Sequence, residues 1–143
     1  MSQEDKIRKW KRWLGRVRED TEQLLISREI YIEVRNIIAG NPAIRTNNRF
    51  FHWMTSNYAQ ATLISVRRLV DPRKDVVSLR RLLDDMEINS HLLRREAHAS
   101  LYSVETVEGQ ADWTFDNLAG EGMNTFPVEK IRSDIETLNP SIA

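Results

Sequence analysis

FFHWMTSNYAQATLISVRRLVDPRKDVVSLRRLLDDM, residues 50–86, decides how the rest of the chain is read. Up to Val70 no stretch alternates with period two. Phe50, Met54, Asn57, Ala61, Ile64 and Arg68 instead recur at helical spacing and form one stripe. Pro72 stops that helix, because it lacks an N–H and clashes with the preceding turn. Asp71 then stands at a helix C-terminus, where the macrodipole disfavours an anion by roughly 0.3–1 kcal/mol. It follows Arg68 by three residues and Arg67 by four, the spacings at which helical side chains meet. Arg68 lies on the apolar stripe, so the pattern predicts a half-buried arginine neutralised by Asp71. Beyond a polar connector, Ser78 is a natural N-cap for a further helix, LRRLLDDM.

Working outward, residues 3–39 read as one long helix closed at AGNP, with Gly40 suited to a left-handed cap and Pro42 forbidding continuation. Ile7, Trp10, Trp13, Leu14, Val17 and Leu24 share one side of its first half. Apolar residues surround the axis after Ser27, which predicts a half-exposed first half and a buried second half. Asn47 and Asn48 suit the N-cap of the helix that follows. HLLRREAHASLYSV reads as a fourth helix and residues 105–126 as a loop or broken helix. Pro127 opens a last helix through Leu138, with Val128, Ile131, Ile135 and Leu138 as its stripe. The expected core combines Ile37, Phe50, Met54, Ala61, Ile64, Leu69, Leu82 and Leu83. The predicted fold is all-α, a single domain over 1–143.

The totals exclude several classes. Of 143 residues, 41% are hydrophobic and 29% charged, which describes a folded domain rather than a disordered one. Basic and acidic residues both number 21, so any attraction to nucleic acid must come from a local patch. The absence of cysteine removes disulfides and thiolate metal sites and fits a reducing cytoplasm. No apolar run approaches the roughly 20 residues of a membrane span. No phosphate loop or nucleophile signature occurs, and no cofactor is implied. Asp84 and Asp85 are adjacent on a helix and diverge, so they read as a solvated acidic face and not a metal site.

The run from 50 to 86 resembles the central segment of the abortive-infection U-type branch of the HEPN superfamily. Arg68, Leu69, Asp71, Pro72, Ser78, Leu79, Leu82 and Leu83 match its RLxDP helix end and slxxLL continuation. The likeness is looser over the long, tryptophan-bearing N-terminal helix. It implies a HEPN-like helical bundle, usually dimeric, in phage-defence and toxin–antitoxin systems. Its partners would then be a second copy, an RNA, or a protein encoded in the same operon, with no membrane role.

Many HEPN proteins are metal-independent ribonucleases that place an arginine four to six residues before a histidine near the start of a late helix. Here no histidine lies beyond His98, so that position lacks the motif. Arg45 and His52 have suitable spacing but open a different helix, and Arg94 and His98 are too close. His52 groups with Ala59, Leu63 and Val70, which predicts a packing or capping role. KIRKWKRW adds a second candidate surface: Lys9, Arg12 and Arg16, beside two tryptophans, could hold phosphates. Trp10, Trp13 and Val17 also form a stripe that a small domain could leave for a partner. The reading is therefore a HEPN-like module binding RNA or protein through Arg67, Arg68, Asp71, Lys9, Arg12 and Arg16. The alternatives are an endoribonuclease built on Arg45 and His52, and a dimerisation scaffold.

Overall fold

The computed structural model describes residues 2–45, 49–100 and 109–139. Within them the chain is helical: α1 (Gln3–Gly40), α2 (Pro42–Arg45), α3 (Arg49–Leu69), α4 (Leu79–Ile88), α5 (Arg95–Ala99), α6 (Gln110–Ala119) and α7 (Val128–Thr137). The local signals explain most of the boundaries. Ser2 and Asp5 form a reciprocal capping box at the start of α1. The Arg81 backbone N–H donates to Ser78 Oγ at 3.2 Å, capping α4 as the sequence predicts. Pro127 directly precedes α7. Gly40 departs from expectation: it is the last helical residue, and the cap is Asn41 in extended backbone. The expected fourth helix is a 3-10 turn (Ser90–Leu92) followed by the five residues of α5, while the stretch expected as a loop or broken helix contains α6. Asn47 and Asn48 lie outside the described residues.

The core gathers at one end of α1. Trp10 and Trp13 pack with Leu82 of α4 and Leu92 of the 3-10 turn, flanked by Val77, Met86 and Leu93. Ile131 and Ile135 of α7 are buried, and α7 packs along α4, where Arg132 reaches Glu87 at 2.7 Å. Phe115 and Ala119 are the buried residues of α6. Backbone hydrogen bonds from Arg95 to Asn124 (3.0 Å) and from Phe126 to Leu93 (2.8 Å) tie the loop after α6 to the start of α5. The Arg95 guanidinium binds Asp112, Asp116 and the Met123 carbonyl and lies over the Phe115 ring. A cavity of about 400 Å³ remains between these elements, walled mainly by Trp10, Leu92, Phe115, Leu118 and Ile131.

The second half of α1 and α3 form an antiparallel hairpin extending from this core. Tyr31 stacks on Tyr58 with ring centroids 4.1 Å apart, and Asp20 faces Arg68 near the hairpin base. The expected core is overturned here. Among its members Leu82 is buried; Met54, Leu69 and Leu83 are half-buried; Ile37, Phe50, Ala61 and Ile64 are exposed. No residue of α3 is buried. The tryptophan stripe is corrected in the opposite sense: Trp10, Trp13 and Val17 pack inside the chain. The physical reason is the choice of contact line. Phe51, Met54, Thr55, Tyr58, Thr62, Ser65 and Leu69 turn toward α1, which rotates the Phe50–Ile64 stripe outward.

Candidate functional site

The connector between α3 and α4 is held by side chains that cap its backbone. Ser78, 1% exposed, donates from Oγ to the Asp71 carbonyl at 2.5 Å while accepting from Arg81. Arg81 in turn donates to the carbonyls of Lys74 and Val76 (3.0 Å for Val76). Its guanidinium lies 4.9 Å from the Trp13 ring centroid, and Lys9 Nζ lies 4.3 Å from the same centroid. One serine and one arginine thus attach the connector to the tryptophan core.

Asp71 forms its ion pair with Arg73 and not with Arg68 or Arg67; Arg67 acts on the carboxylate only through its charge. The helix ends at Leu69, and the turn at Pro72 brings Arg73 back onto the acid. The Arg73 backbone N–H donates to Asp71 Oδ1 at 2.9 Å, an Asx-type turn, and its guanidinium donates to both carboxylate oxygens at 2.8–3.1 Å. These bonds hold the Asp71 carboxyl below the usual aspartate range. Arg68, its side chain 47% exposed, instead faces Asp20 of α1 at 3.5 Å. Arg16 approaches the same Asp20 at 3.6 Å. Arg67 is exposed.

These residues line two adjoining hollows on one side of the molecule. The first is bounded by Arg12, Trp13 and Arg16 of α1, Arg68 of α3, and Asp75, Val76 and Val77 of the connector. The second is bounded by Ile64, Arg67, Arg68, Val70, Asp71 and Arg73, and the two meet at Arg68 and Val76. Five of the six sequence-derived binding residues therefore converge on one groove. The sixth, Lys9, belongs to the core boundary.

Lys9 shares Asp85 with Lys6 and Trp10. Trp10 Nε1 donates to Asp85 Oδ2 at 2.7 Å, and Lys6 and Lys9 reach the carboxylate at 3.1 and 3.3 Å. Partial burial pushes the Asp85 carboxyl up, but the three donors outweigh it and hold it below its ordinary value. Asp85 is thus a pin between α1 and α4, not part of a solvated acidic face. Composition alone does not reveal it; the signal lies in KIRKWKRW, where Lys6, Lys9, Trp10 and Trp13 fall on one helical side.

The Arg/His candidates fall at two separate places in the fold. Arg45 ends α2 and His52 lies in the first turn of α3; both are exposed and share no hydrogen bond or ion pair among the described residues. Exposure also overturns the packing role expected for His52. Arg94 donates to the His91 carbonyl at 2.7 Å, while His98 packs against the Phe115 ring. Among the described residues no group of three His, Asp or Glu side chains is placed to hold a metal ion, and no helix is long and apolar enough to cross a membrane.

The long α1, the α3 end at Leu69–Pro72 and the Ser78-capped α4 reproduce the arrangement implied by the RLxDP likeness. The family model HEPN_AbiU2 (AbiU2) matches residues 7–122, most of the chain. The chain belongs to the AbiU2 family. No curated protein and no solved structure matches it. The AbiU2 match spans the hairpin, the groove and the Asp85 pin, and ends before α7. As a HEPN domain of an abortive-infection family, the chain is a module of phage defence.

Proposed function

We propose that this AbiU2 domain acts by binding, as a homodimer, with RNA or a protein partner as its ligand, and not as a self-contained ribonuclease. The observation that carries the reading is the uncovered apolar face of the α1–α3 hairpin. Counting about 100° per residue from the tyrosine contact, Ile26, Ile30 and Ile37 of α1 lie on the same side of the antiparallel pair as Phe50, Trp53 and Ile64 of α3. All six are exposed, Trp53 at 63% and Ile64 at 67%. Contiguous apolar surface of this kind marks an interaction site. Two helices that bury little between them also gain most of their stability from further packing. A second copy supplies a matching face, and two hairpins stacked on it make a four-helix bundle.

Light scattering tests this directly. The wild-type chain is expected to have dimer mass at micromolar concentration, and Ile30→Glu with Trp53→Glu is expected to have monomer mass with its helical circular dichroism retained. A wild-type monomer at high concentration removes the reading. Metal-independent RNA cleavage that disappears in Arg45→Ala and His52→Ala would replace it with the enzymatic one.

A further inference from the structure

We infer that the arginine-lined groove beside the connector is a docking site for an acidic, amphipathic segment of a protein partner. This inference rests on the binding reading above and names the partner's chemistry. Three features carry it.

The first is loosely paired positive charge at the rim. Arg12 and Arg67 make no ion pair among the described residues. Arg16 and Arg68 share the carboxylate of Asp20, at 3.6 and 3.5 Å, and Arg16 also approaches the exposed Glu19 at 3.7 Å. These distances are long for a charge-assisted hydrogen bond, which leaves guanidinium N–H groups able to donate to a new carboxylate.

The second is an aliphatic floor. Val70, Val76 and Val77 are half-buried within the groove. A partner that inserts apolar side chains between its carboxylates fits both parts of this surface, as amphipathic helices fit grooves in general.

The third feature separates a peptide from a nucleic acid. Binding of single-stranded RNA uses aromatic faces on which bases stack, together with an unbroken cationic track. Trp13, the one aromatic that bounds the groove among the described residues, is 8% exposed and has Lys9 and Arg81 over its ring. Asp20, Asp71 and Asp75 interrupt the arginines. A uniform polyanion meets these carboxylates at every register. A peptide can place its own acids opposite the arginines and avoid them.

The test uses the full chain and a labelled amphipathic peptide of leucines and glutamates at helical spacing, followed by fluorescence anisotropy. The controls are the same peptide with glutamine for glutamate and a single-stranded oligouridylate. The glutamate peptide is expected to bind, and the glutamine peptide to bind at least roughly tenfold more weakly. Arg12→Glu with Arg67→Glu should weaken the glutamate peptide by a similar factor and leave the melting curve and the dimer mass unchanged. Lys11→Glu, outside the groove, should have no effect on binding. Equal binding of the two peptides, or wild-type affinity in the double variant, overturns the inference. So does arginine-dependent binding of oligouridylate with no binding of the peptide, which would make the groove a nucleic-acid surface. A dimer that ignores the peptide sinks this inference alone, whereas a monomer that binds none of the probes sinks the binding reading as well.

Discussion

Trp10 and Trp13 on the first half of α1 are buried beside α4 and the turn that follows it, and Val17 is buried too, whereas Ile26, Ile30 and Ile37 on the second half face solvent. Both halves belong to one uninterrupted helix, and both carry enough apolar residues to be buried. The difference comes from what the chain folds back against them. The first half receives α4 and the Asp85 carboxylate. The second half receives the short α2 and α3, whose strongest apolar stripe is turned aside by the tyrosine contact, and of its isoleucines Ile38 is buried. Helix formation and helix burial are therefore separate questions in this protein, and the tertiary partner answers the second.

The largest effect should come from the covered half. Trp13→Ala empties a core position and is expected to cost about 3–5 kcal/mol in denaturant unfolding. A loss below 1 kcal/mol would show that the first half is no better anchored than the second. Asp85→Ala removes the acceptor shared by Trp10, Lys6 and Lys9 and should cost about 1–3 kcal/mol at pH 7.

Acid sharpens the Asp85 result. The folded pKa lies below the ordinary aspartate value near 3.9. The stabilisation is therefore complete above that value and declines as pH falls through the lower folded pKa. Asp85→Asn should flatten this part of the stability–pH profile, and an unchanged acid limb would remove Asp85 as the pin. Next comes Ser78→Ala, which deletes a cap and a bond to the Asp71 carbonyl. A loss of about 0.5–2 kcal/mol is expected, read from thermal melts. The smallest effect belongs to the bare half: Ile30→Ala, measured at dilutions where the chain is monomeric, should stay within about 0.5 kcal/mol of wild type. A larger loss would mean that Ile30 is covered within one chain.

Helix identity was legible in the residues. Pro72, Ser78 and Pro127 act on the backbone locally, so α3, α4 and α7 begin and end close to where those residues place them. Tertiary choices were not. The wheel puts Asp71 within reach of Arg68 only if the helix continues, and it stops two residues earlier. The cue for the real partner was the Asp-Pro-Arg order itself, since an aspartate side chain commonly accepts the backbone N–H two residues on. Likewise the Phe50–Ile64 stripe was recognisable, but its direction depends on which face of α3 meets Tyr31. The groove illustrates the same division. Its arginines were identifiable singly, while their convergence required α1 to pass beside the connector.

The four tryptophans divide along the same line, and this gives the chain a built-in optical readout. Trp10 and Trp13 are 7% and 8% exposed, while Trp53 and Trp113 are 63% and 68% exposed. A collisional quencher such as acrylamide should reach only the second pair, giving a downward-curving Stern–Volmer plot and a blue-shifted residual emission from the first. Trp53 sits on the hairpin face and Trp113 on α6. Replacing Trp113 with phenylalanine therefore leaves Trp53 as the one quenchable emitter, and loss of its quenching with rising concentration reports self-association without any label.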